Sequence, residues 1–166
     1  MWSAAQLHIA VQTDGARATS RQMHTIEDTI QINATPNRIL EALTTKDGIK
    51  GWWTLDVACD SEKKQATYRF PQKAGGAMEV TFQLISADES GLVMKCVAQN
   101  NNPDWLNTTL AFKLVPDGKA TRVDLSHEGY PANNELYAMC VKGWAHYLGS
   151  LRSYLETGSG EPHGKA

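Results

Sequence analysis

Asp28 and His127 are the side chains whose placement bears most directly on chemistry. Asp28 shares the parity of Ile26, Ile30 and Ile32, and His127 that of Val123 and Leu125, so each interrupts an apolar strand face. A carboxylate and an imidazole in one apolar space would each need a partner. Together they could orient a polar ligand or transfer a proton. Two plainer arrangements stand beside that one: each group is satisfied locally, or sits at a sheet edge where water reaches it. There is no GxSxG run, and Cys59, Cys96 and Cys140 lie on apolar parities where buried, inert thiols are expected. The five histidines include no HxxxH pair, so neither a metal nor another cofactor is expected.

The aromatic residues suggest binding rather than reaction. Trp52, Trp53, Trp105, Tyr137 and Trp144 come from short helices, a loop and a long helix, segments able to meet at the mouth of a cavity. Large rings with one polar atom suit an apolar pocket with few polar contacts, although each could equally be core. Met94, on a strand, and Cys140, one helical turn before Trp144, join Asp28, His127 and these rings as the candidate ligand-binding set. No residue is assigned a catalytic role. Gly143 lies at the edge of the helix's apolar arc, where it costs ~1 kcal/mol relative to alanine, and would permit close approach of a neighbouring strand.

These residues are carried by a simple order of elements. Alternation from His24 gives a first strand. Thr35-Pro36 then opens a short helix that Asp47-Gly48 ends, and a helical turn from Ile49 to Trp53 follows. Six strands joined by turn residues come next, with Leu55, Val57 and Cys59 in the first and His127 in the last. From Asn134 to about Thr157 the pattern is helical, with Leu136, Tyr137, Cys140, Val141, Trp144, Tyr147, Leu148, Leu151, Tyr154 and Leu155 on one arc of roughly 140°. No βαβ spacing occurs, so the class is α+β: a seven-stranded antiparallel sheet curled around a long C-terminal helix, with two short helices after strand one.

Composition sets the outer bounds. With 166 residues, 42% apolar and 20% charged, the chain suits one domain. Residues 1–22 read as an N-terminal extension, in which Leu7, Ile9 and Val11 could form a short strand. Residues 23–158 read as the domain and 159–166 as a tail. A net charge of −2 with no basic run predicts no nucleic-acid partner and no membrane surface. Three cysteines without a framework, no signal-type start and no long apolar run predict a cytoplasmic protein.

Several dispersed motifs also occur in a telling order. They are Ile30-Gln31-Ile32-Asn33-Ala34-Thr35-Pro36, then Ala42-Leu43-Thr44 with Trp52-Trp53, then Trp105 before Thr108 to Phe112. Thr121 to His127 and Gly143-Trp144 with Tyr147-Leu148 and Leu151 complete the set. From residue 24 to 160 the chain resembles a START-like (SRPBCC) helix-grip domain, of the branch named after the activator homologue of the heat-shock chaperone ATPase. The resemblance implies a sheet gripping the C-terminal helix with a largely apolar cavity between them. Members include lipid and hormone binders, polyketide cyclases and chaperone-activating domains. The leading expectation is binding of a small, mostly apolar molecule without covalent chemistry. The alternatives are a protein-interaction module, or a cyclase-like enzyme using Asp28 and His127 as acid and base.

Overall fold

The computed structural model describes residues 22–166. The alternating Leu7, Ile9 and Val11 lie outside the described residues. Strand β1 (His24–Ile32) is followed by α1 (Pro36–Thr44) and α2 (Lys46–Trp52). Strands β2 (Asp56–Asp60), β3 (Gln65–Pro71), β4 (Ala77–Asp88), β5 (Gly91–Gln99), β6 (Thr109–Asp117) and β7 (Ala120–Tyr130) then lead to α3 (Glu135–Thr157). All strand pairs are antiparallel, in the order β1-β7-β6-β5-β4-β3-β2, as the alternation predicts. The register between β4 and β5 shifts at Thr81/Phe82 and Leu84/Ser86, and breaks of this kind in a ladder increase the local twist of a sheet.

The two short helices meet at one threonine. Thr45 Oγ1 donates to the Glu41 carbonyl, closing α1, and accepts from the Gly48 amide, opening α2. Asp47-Gly48 therefore lies in the first turn of α2, where Asp47 complements the helix dipole, and does not terminate α1. α2 ends in Trp52, buried with its indole N–H on the Ala42 carbonyl at 2.8 Å and stacked on Trp53 at 5.4 Å.

Helix α3 starts at an Asn134 cap and ends at Gly158, which takes the left-handed conformation (φ 85°) that a side chain resists. Its buried residues begin only at Trp144 and continue through Leu148, Ser150, Leu151 and Leu155. Toward the N-terminus Leu136, Tyr137 and Cys140 are half-buried, and Val141, expected on the buried arc, is 41% exposed. The C-terminal half of α3 thus packs on the sheet while its N-terminal half stands off it.

Three other positions differ from the parity reading. Cys59 and Leu55 are exposed, in and just before β2, which among the described residues is the edge of the sheet with no strand on its far side. Asp28, on the opposite edge strand, is half-buried, and its Oδ1 accepts from the Thr29 amide at 2.8 Å. The segment after α3, expected to be a tail beyond the domain, turns back across it. Ser150 Oγ donates to the Trp52 carbonyl at 2.7 Å and accepts from the Glu161 amide at 2.6 Å. His163 bridges in parallel to Thr54, its amide on the Trp53 carbonyl at 2.8 Å and its carbonyl receiving the Leu55 amide at 3.1 Å. Gly160 and Pro162 are buried. A side chain at Gly160 would collide with the Gly51 and Ser150 carbonyls, so the crossing requires glycine.

Candidate functional site

The stand-off of α3 leaves a cavity of about 300 Å³. Its sheet wall is Phe70 from β3 with Met78, Val80 and Phe82 from β4, and its helix wall is Met139, Cys140, Gly143, Trp144 and Tyr147. Trp53 and Trp105 close the sides, and Gln72 and His163 stand at the margin. A Cβ added at Gly143 would meet, among the described residues outside its own turn of helix, only the Tyr147 ring, at 4.0 Å. Gly143 leaves room in the cavity and does not serve the close strand approach its position in the sequence suggested.

His127 forms the inner end and is 3% exposed. Its Nδ1 accepts from the Trp144 indole at 3.1 Å and is also reached by the Tyr130 hydroxyl at 2.9 Å. An indole N–H can only donate, so Nδ1 is bare and the ring proton sits on Nε2, which donates to Thr108 Oγ1 at 2.9 Å. Thr108 passes its own proton to the Trp105 carbonyl at 2.7 Å. The Trp105 indole in turn donates to Cys140 Sγ at 3.2 Å. The cavity end is thereby a chain of hydrogen bonds that ties β7, the segment ahead of β6 and α3 together around one imidazole.

Burial and not a nearby charge sets the protonation here. His127 is pushed down to about 3 because burial would strip an imidazolium of water, and among the described residues no carboxylate stands beside it. Burial likewise raises the Cys140 thiol and the Tyr130 and Tyr147 phenols, keeping them neutral. Among the described residues no Asp, Glu, Lys or Arg lines this cavity, and no three of His, Cys, Asp and Glu gather as metal ligands.

Of the residues singled out in the sequence, Trp53, Trp105, His127, Cys140 and Trp144 come together here. Asp28 does not: the register of β1 on β7 sets Ile26 opposite His127 and Asp28 opposite Leu125. Trp52 lies behind Trp53 in the core, and the Tyr137 hydroxyl leaves the cavity to donate to the Thr25 carbonyl at 3.0 Å. Met94 lines a separate cavity. Sequence reasoning missed Phe70, Gln72, Tyr147, Met139 and His163 at the wall. Val80 and Phe82 were legible as apolar parity, but nothing local marks which apolar residues face a gap instead of a neighbour.

A long helix gripped by a curled antiparallel sheet, with an apolar gap under the helix's first half, defines a START-like (SRPBCC) helix-grip domain. Over residues 33–156 the sequence matches the family described as activator of Hsp90 ATPase homolog 1-like proteins, and the chain belongs to that family. None of the curated proteins compared by sequence matches it. Among solved structures, the Aha1 dimer from Colwellia psychrerythraea is similar at 30% identity and a TM-score of 0.68, covering 82% of this chain and 99% of that one. Protein CV1439 from Chromobacterium violaceum is similar at 16% identity and a TM-score of 0.66, covering 80% and 96%. DynU16, from the dynemicin biosynthetic locus, is 15% identical with a TM-score of 0.63, covering 82% of this chain and 48% of that one. The last two likenesses speak to the fold alone.

Proposed function

We propose that this domain binds a small, mostly apolar, uncharged molecule between the sheet and the first half of α3, without covalent chemistry. The observation that carries this reading is the cavity of about 300 Å³, walled by aromatic and aliphatic side chains and free of charged ones among the described residues. Such a volume is at the lower bound of known small-molecule sites. His127 suits a structural part better than proton transfer, since its free nitrogen is already engaged and its basicity lies far below neutral. Exposure of the free thiol of Cys59 suits a reducing compartment and supports the cytoplasmic location we propose.

The test is a tryptophan-fluorescence titration. Trp53, Trp105 and Trp144 border the cavity, so decan-1-ol should change their emission saturably. A micromolar Kd corresponds to about 8 kcal/mol, within reach of burying a ligand of that size. Decanoate, of equal length, should bind at least tenfold more weakly, because among the described residues no Lys or Arg lines the cavity to face its carboxylate. Absence of any saturable response to either would sink this reading. A second reading, an interaction module that meets a protein partner, draws support from the 30% identity to a protein whose structure is a dimer. It would take precedence if the cavity proved inert.

A further inference from the structure

A second cavity, of about 280 Å³, opens on the same concave face beyond Phe82, which lines both. Leu43 and Ile49 from the short helices and Ala66, Leu84 and Met94 from the sheet form its floor, and Asp60 and Lys64 stand at its rim. Tyr68 is the partition. Its ring packs on Trp53 at 4.2 Å, toward the first cavity, and on Phe82 at 6.0 Å, while its hydroxyl serves the second. Tyr68 is 1% exposed, yet among the described residues the only partner its hydroxyl finds is the thioether sulfur of Met94 at 3.8 Å. Sulfur is a weak acceptor, and the distance lies well beyond that of a good O–H···O bond. Burial raises the phenol's pKa, so this hydroxyl remains a donor at every physiological pH.

A buried donor that faces a cavity and reaches only sulfur among the described residues selects for an acceptor delivered from outside. We propose that the second cavity binds an uncharged apolar carbonyl compound, a ketone or ester, whose oxygen accepts the Tyr68 hydrogen bond in place of the Met94 sulfur. A carbonyl accepts this bond and brings no proton of its own, whereas an alcohol also needs an acceptor, which in the lining falls to polar groups such as Thr44, Ser61 and Gln65 instead of the aliphatic floor. A charged head group is disfavoured on that floor and at a rim where Asp60 and Lys64 oppose each other in sign.

Methionine methyl NMR separates the two cavities, since Met94 reports on the second while Met78 and Met139 report on the first. Propiophenone should shift the Met94 resonance saturably, and propylbenzene, the matching hydrocarbon, should bind roughly five- to tenfold more weakly, the scale of one neutral hydrogen bond. Tyr68→Phe, which removes only the oxygen and keeps the ring on Trp53, should bring the ketone down to the hydrocarbon's affinity. The response of Met78 and Met139 to decan-1-ol should be unchanged by that substitution. A Met94 resonance that ignores the ketone, or a ketone preference that survives in Tyr68→Phe, would overturn the proposal. Silence of Met78 and Met139 toward decan-1-ol would instead count against the first cavity as a ligand site.

Discussion

His127 concentrates the energetics of the site in one side chain. In the folded protein it stays neutral down to about 3, whereas in the unfolded chain it takes a proton near its ordinary value of 6.5. The folded pKa is the lower of the two, so protons favour the unfolded state. The contribution is intact above 6.5 and is lost as pH falls toward 3. One proton gives a slope of about 1.4 kcal/mol per pH unit, so stability at pH 5 should be about 2 kcal/mol lower than at pH 7 from this residue. Urea unfolding at the two pH values checks it. His127→Gln should flatten the difference, and an equal slope in that variant would place the titration elsewhere. The sequence placed His127 on the interior face correctly, but its partnership with Asp28 failed on register. Parity says which face a residue takes, whereas the partner across the sheet depends on where β1 is aligned on β7.

At the scale of elements, α3 is held to the sheet by its second half and by the chain that folds back after it. Leu151 is fully buried, and Leu151→Ala should cost about 2–5 kcal/mol. His146, exposed on the outer arc with one bond to the Glu161 carbonyl, should cost less than about 1 kcal/mol as His146→Ala. Ser150→Ala should fall between, about 1–3 kcal/mol, because it strips partners from the Trp52 carbonyl and the Glu161 amide at once. Thermal or urea midpoints of the three variants give the order, and a Ser150 variant as tolerant as the His146 one would mean that the returning segment adds little. Periodicity made α3 and every strand legible, since 3.6- and 2-residue repeats are local. It could not register the return of residues 160–163, whose burial rests on one serine about two turns before the end of α3 and on a glycine that fits under Gly51. Nor could it see that Val141 faces outward, because an apolar arc marks what a helix can bury, not how closely the sheet approaches it.

The whole molecule is a sheet that closes on one end of a helix and not on the other, and the resulting gap is the proposed ligand site. Gly143 is where the helix and the gap meet with no side chain between them. Gly143→Leu places a good helix former there and directs its bulk into the cavity. Removing a glycine from a helix interior favours folding by up to about 1 kcal/mol, while the added side chain occupies ligand space. A residue that were merely core would behave oppositely, since overpacking a filled interior costs about 1–3 kcal/mol. The decisive measurement is therefore a decan-1-ol titration of the unaltered protein and of Gly143→Leu, read by tryptophan emission beside the urea midpoint of each. The cavity account predicts saturable binding by the unaltered chain, and loss of that binding in a variant at least as stable. Destabilisation of Gly143→Leu with no alcohol response from the unaltered protein would contradict it.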